Sequence, residues 1–253
     1  MISEPFADGV SIIHRIDPRF RIVAAVLFSV VVAVSREIDT LAGALLMAVC
    51  LIFAGRLNLL QVAKKYGIIF GFLILIWLLM PFTYPGASIA KIGPLTATRA
   101  GVNFALTISL KSTAIVLSLM SLIATIPMAT LGHALYELRM PGKIVHLLLM
   151  TYRYIHVIEW EYQRLIRAAK IRGFKPGTNF HTYKTTAYFV GVLFIRAVER
   201  ADRVSKAMKC RGFNGQFYCL TEFPAHSRNW IFAWVAAACI LGLIYLEWLT
   251  LLF

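Results

Sequence analysis

Charged side chains are scarce in this chain, and acidic ones scarcest. Only 15% of its 253 residues are charged, 12 Asp plus Glu against 26 Lys plus Arg, where a soluble domain carries about 25%. Together with 59% apolar residues, a net charge of +14 and a mean hydropathy of +0.73, this excludes a disordered chain and argues for one that lives in lipid. The four cysteines (Cys50, Cys210, Cys219, Cys239) have no metal-binding spacing and no small secreted frame to staple, so neither a zinc site nor a disulfide scaffold is implied. The six histidines (14, 133, 146, 156, 181, 226) are scattered; His146 and His156 lie ten apart among Leu, Met and Tyr, which suits interfacial packing better than metal ligation. No GxxxxGK[ST] phosphate loop occurs, so ATP hydrolysis is not expected of this chain. No nucleophile, base and orienting group converge, so no catalytic residue, metal site or cofactor is assigned. Residues 1–19 hold Glu4, Asp8 and Asp17 and no apolar core of a signal peptide, so none is expected to be cleaved.

What is present is a series of apolar stretches: Ile22–Val34, Leu41–Ala54, Tyr66–Tyr84, about Asn103–Ile126, and Trp230–Phe253. The first two are shorter than the roughly 18–20 residues a bilayer core needs, so Arg21, Arg36 and Arg56 should snorkel to the interface; a tight linker at 35–40 makes them a helical hairpin. Basic residues resist translocation. Arg15, Arg19 and Arg21, and then Arg56, Lys64 and Lys65, place the N-terminus and the linker 55–65 in the cytoplasm, while the turn 35–40 and the Pro/Gly-bearing loop 85–102 lie outside. The expectation is an all-α membrane protein of the cytoplasmic membrane: about five transmembrane helices plus a cytoplasmic domain of long amphipathic helices. The divisions are 1–129, a four-helix transmembrane bundle; 130–228, the basic cytoplasmic domain; and 229–253, a last transmembrane helix.

Residues 130–230 carry 16 Lys plus Arg and 6 Asp plus Glu, so most of the excess charge sits in this one insert. From Lys143 to Ile171 apolar residues recur at three- and four-residue steps, among them Ile144, Leu147, Leu148, Ile155, Ile158 and Tyr162, opposite Arg153, Arg164, Arg167 and Lys170. A second amphipathic helix runs from about Lys184 to Arg211. Its run Ala187–Ile195 is too short to span, but suits dipping into the bilayer face or packing beneath the bundle.

The insert repeats itself at an offset of 39. Ala168-Ala169-Lys170-Ile171-Arg172-Gly173-Phe174 matches Ala207-Met208-Lys209-Cys210-Arg211-Gly212-Phe213 at five of seven positions, and upstream Arg164 pairs with Arg203 and Arg167 with Lys206. A glycine past a cationic last turn is an ordinary helix cap. Capping, however, asks for no fixed Arg, no following Phe and no Ala four residues earlier. Two guanidiniums on rigid helix ends instead suit bidentate contact with carboxylates of a two-fold partner.

Arg-Gly motifs ending two long cytoplasmic helices resemble the signature of the transmembrane, or T, component of energy-coupling factor transporters, an ABC class importing vitamins and transition-metal ions. His14-Arg15-Ile16-Asp17-Pro18-Arg19 is similar to the family's approach to its first helix. Leu138-Arg139-Met140-Pro141, then Tyr152-Arg153-Tyr154 and Glu159, resemble its first coupling helix. Arg196-Ala197-Val198-Glu199-Arg200-Ala201-Asp202-Arg203 and Phe213-Asn214-Gly215 look most like the cobalt-uptake subfamily, CbiQ. Many vitamin-type members have Ala before each Arg-Gly, where this chain has Ile171 and Cys210. The resemblance covers roughly residues 12–217. It implies a non-catalytic subunit joining two ATP-binding ATPase subunits to a substrate-binding membrane subunit, the S component, for cobalt uptake beside cobalamin biosynthesis, with nickel, biotin or another vitamin as alternatives. By carry-over Arg172 and Arg211 dock to the ATPases, Gly173 and Gly212 permit close approach, and Ala168, Lys170, Phe174, Ala207, Lys209 and Phe213 support them. Any metal ligands would then lie on a partner.

Lys111, flanked by Ser109, Ser112 and Thr113, is a candidate intramembrane polar site, although in a fourth helix starting near Leu106 it snorkels outward. Gly67 and Gly71 form a GxxxG that suits close helix packing, and the methionines suit soft interfaces. A competing reading is a structural anchor whose basic helices bind anionic lipid at roughly 1 kcal/mol per basic residue. Nucleic acid is not expected as a partner, because the basic residues interleave with an apolar face and no recognition motif occurs.

Overall fold

The computed structural model describes Phe6, Gly9, Ser11 and residues 13–85, 88–92, 95–213 and 227–252. After a 3-10 turn at Ile13–Arg15 the elements are α1 (Pro18–Val34), α2 (Ile38–Ala54), α3 (Leu59–Thr83), β1 (Ser88–Ile92), β2 (Leu95–Thr98), α4 (Arg99–Leu122), α5 (Met128–Glu137), α6 (Gly142–Ile171), α7 (Phe180–Cys210) and α8 (Ser227–Leu252). The protein is an all-α membrane protein, relieved among the described residues only by the short antiparallel hairpin β1–β2. The chain divides into two compact units, residues 4–130 with 223–253, and residues 131–222.

In the first unit α1 starts where Asp17 accepts from the Arg19 N–H at 3.0 Å and Pro18 takes the first helical position, which needs no donor. The core joins Phe28 and Val32 of α1, Leu41 and Ala44 of α2, Ala114 of α4 and Leu243 of α8. Fully buried alanines at 44, 48, 105 and 114 bring the backbones together. Gly101 serves the same end: a Cβ there would stand 2.5 Å from the Met80 carbonyl oxygen. α4 and α8 are long and apolar enough to cross a membrane, and α3, bent by 48° between Leu59–Gly67 and Ile69–Thr83, makes a third if its two halves form one span. α1 and α2, at 17 residues each, reach about 26 Å, short of the roughly 30 Å hydrocarbon core.

Four details correct the sequence expectations. Part of the loop expected at 85–102 is the β1–β2 hairpin, and α4 begins at Arg99 because Thr98 caps it, accepting from the Gly101 N–H at 3.3 Å. Lys111 therefore lies mid-helix, further from the helix start than expected, and donates to the Ala33 carbonyl at 2.9 Å, one of the carbonyls that the end of α1 leaves without a helical donor. Arg21 does not snorkel. It is 2% exposed, its Nη2 donates to Thr125 Oγ1, and beside it the Asp17 N–H donates to Asn229 at 3.2 Å, tying the start of α1 to the start of α8. Finally, no atom stands within 4 Å of where a Cβ would sit on Gly67 or Gly71, so this GxxxG packs against no neighbouring helix among the described residues.

Candidate functional site

The second unit is dominated by α6 and α7, of 30 and 31 residues, each about 45 Å long at 1.5 Å per residue. Both carry an apolar stripe opposite basic residues, which is why they form helices of this length without a buried core of their own. Tyr188, Val190, Phe194 and Ile195 of the run 187–195 are exposed in this chain.

Their ends share one construction. At the end of α6 the Gly173 N–H donates to the Lys170 carbonyl and the Phe174 N–H to the Ala169 carbonyl, both at 3.0 Å; at the end of α7 Gly212 donates to Lys209 and Phe213 to Met208, again at 3.0 Å. Each is a Schellman cap with Arg at the last half-helical position, Gly beyond it in the left-handed region, and Phe turning back over the helix. Gly173 has φ +83° and Gly212 φ +77°, and a Cβ at either would meet nothing within 4 Å. Within this chain the glycines are therefore required by backbone conformation, not by space. The sequence repeat is thus a structural repeat: Phe174 and Phe213 are half-buried, while Ala168, Ala207, Lys170, Lys209, Arg172 and Arg211 are exposed. Phe174 meets the Phe189 ring edge-on at 5.8 Å, folding the α6 cap onto α7. Among the described residues neither Arg172 nor Arg211 has an acidic partner, so both guanidiniums are available to another molecule.

The helices meet at Glu161, which takes Arg196 at 3.1 Å and Arg200 at 3.5 Å. A crevice of about 150 Å³ beside this contact is lined by Tyr154, Ile158 and Glu161 of α6 and by Leu193, Ala197 and Arg200 of α7. These residues are paired by the same offset of 39 that relates the two Arg-Gly motifs. Equivalent positions of the two helices meet, as they do across a two-fold axis, and each Arg-Gly end stands eleven residues beyond its member of the Glu161–Arg200 pair. Sequence reasoning missed this contact because the paired residues are complementary, not identical, and a self-alignment scores identity. Burial pushes the His146 imidazole of α6 below its ordinary range, favouring the neutral form. Lys111 belongs to the other unit.

Comparison with known proteins follows the same residues. The cobalt transport protein family, CbiQ, matches residues 9–219. The energy-coupling factor transporter transmembrane protein EcfT of Listeria innocua is 29% identical over 227 residues, covering 85% of each chain. EcfT of Bacillus subtilis is 26% identical over 228 residues, again 85% of each. An uncharacterized protein of Methanocaldococcus jannaschii is 27% identical over 190 residues, 73% of this chain and 70% of that one.

Proposed function

The chain belongs to the cobalt transport protein family CbiQ, and from that premise we propose that it is the energy-coupling transmembrane subunit of an energy-coupling factor importer for cobalt ion. Two ATPase subunits would bind the Arg-Gly ends of α6 and α7, and a substrate-binding membrane subunit would receive their motion. The observation that carries this reading is the duplicated cap, two exposed guanidiniums on identically built helix ends related through the Glu161 contact. A paired ATPase would offer two equivalent docking sites, and a guanidinium fork matches a carboxylate bidentately. Arg172 and Arg211 dock, Gly173 and Gly212 hold the left-handed turn that projects them, and Ala168, Lys170, Phe174 and their counterparts Ala207, Lys209 and Phe213 shape the ends. The N-terminus and residues 130–228 would lie in the cytoplasm, a reading that the distribution of basic residues supports.

Removing a docked guanidinium strands its carboxylate at a cost of about 2–5 kcal/mol. Arg172→Ala with Arg211→Ala should therefore abolish transport and release the ATPases during purification in detergent, and full transport by that double variant would refute the assignment. Cobalt is favoured over nickel, biotin or another vitamin by the family that matches. Uptake of labelled cobalt by cells producing the whole transporter, unaffected by excess nickel or biotin, tests the substrate separately.

A further inference from the structure

We infer that the transmembrane unit holds one anionic phospholipid, its phosphate on Arg15, Arg56 and Arg228 and an acyl chain in a groove along α8. Two cavities of about 510 and 400 Å³ share Phe232 and Val235 and so lie next to each other along α8. All three arginines rim the first. The second is almost wholly apolar, lined by α1, α2 and α8 through residues such as Phe28, Met47, Leu51, Ala236 and Ile240. Among the described residues no acidic side chain lines either cavity, and none of the three guanidiniums has an ion pair.

The dimensions select the occupant. From Arg228 to Ile240 is twelve residues, about 18 Å along the helix, and one leaflet of hydrocarbon is about 15 Å deep. A groove charged at one end and apolar over the depth of a leaflet has the shape and polarity of a lipid. Three guanidiniums match a phosphate diester, and basic clusters at the cytoplasmic interface select anionic headgroups.

An independent observation concerns Arg56. It has φ +47° and closes the end of α2 with the same bonds that Gly173 and Gly212 make at α6 and α7: Arg56 N–H to Phe53 and Leu57 N–H to Ile52. Glycine fills that left-handed position without strain; Arg139 at the end of α5 shares the conformation, at φ +64°, and Arg56 is the one of the two that rims this groove.

The test is native mass spectrometry of the full chain released from mild detergent after incubation with phosphatidylglycerol or phosphatidylcholine of equal chain length. The wild type should retain one phosphatidylglycerol and little phosphatidylcholine. R15Q/R56Q/R228Q should retain it roughly a hundredfold more weakly. Val235→Trp, which fills the groove and leaves the arginines intact, should also lose it and serves if the triple variant misfolds. R172A/R211A should bind like the wild type, which separates this site from the coupling ends. Equal retention of the two lipids, retention by both the triple and the Val235→Trp variants, or a photoreactive residue at 235 that captures a polypeptide instead of lipid would overturn the inference.

Discussion

Replacing Gly173 and Gly212 by alanine isolates a backbone effect. The residues lie at φ +83° and +77°, and a Cβ at either would find no atom within 4 Å. Steric conflict with the rest of the chain is therefore absent, and the cost is that of a left-handed L-residue, roughly 1–2 kcal/mol at each end. It falls on the bonds that close the caps, Gly173 to Lys170 and Phe174 to Ala169, with their counterparts at α7, all at 3.0 Å. Opening of each end should become about 5- to 30-fold more frequent, read as faster amide hydrogen exchange at 173, 174, 212 and 213 in the detergent-solubilised chain. Asparagine tolerates the left-handed region, so Gly173→Asn with Gly212→Asn should recover most of the protection. Asparagine as damaging as alanine would refute the backbone explanation. Recovery of ATPase subunits asks a different question: if the docked ends also need close approach, the asparagine variant passes the exchange assay and still fails to retain the ATPases.

Arg172→Lys with Arg211→Lys keeps the charge but loses the bidentate fork, so ATPase recovery and transport should both fall; unchanged recovery would favour simple charge attraction. Glu161→Gln removes two partly exposed ion pairs and should cost at most about 1 kcal/mol, yet it should slow disulfide trapping between Tyr154→Cys and Leu193→Cys by loosening the contact. Thr125→Val deprives the buried Arg21 guanidinium of its acceptor and should lower stability by about 1–3 kcal/mol, measured as the thermal unfolding midpoint in detergent. Lys111→Met removes the donor to Ala33 and should cost about 1 kcal/mol without altering transport; a transport defect in a stable variant would give Lys111 a functional role instead.

Much of this was legible in the sequence, for physical reasons that also explain what was not. The helices α6 and α7 announce themselves because their apolar stripes must alternate with charge at the helical period, and the Arg-Gly ends because a left-handed cap demands glycine. The start of α4 was hidden because it depends on one hydroxyl, that of Thr98, closing onto the Gly101 amide. Arg21 was misread because a lone arginine near an apolar stretch ordinarily reaches for water, and only the fold reveals Thr125 beside it. Gly67 and Gly71 carry a packing motif, but spacing within one helix does not name the surface that meets it. The contact at Glu161 escaped because complementarity across a pseudo-two-fold axis exchanges one charge for its opposite.

That contact has a mechanical consequence. Arg172 stands eleven residues beyond Glu161, and Arg211 eleven beyond Arg200, giving two short arms of about 16 Å. Behind the contact the helices run 19 and 20 residues back to Gly142 and Phe180, about 29 Å on average. Two stiff rods pivoting at such a point would act as scissors with long handles once the Phe174–Phe189 contact gives way. Each ångström by which the arginine tips are drawn together brings the far ends together by about 1.8 Å, a ratio that paired spin labels at the two ends would measure directly. The leverage is fixed by where along each helix the pivot falls, so the gain of the device is written into residue numbering before any partner is bound.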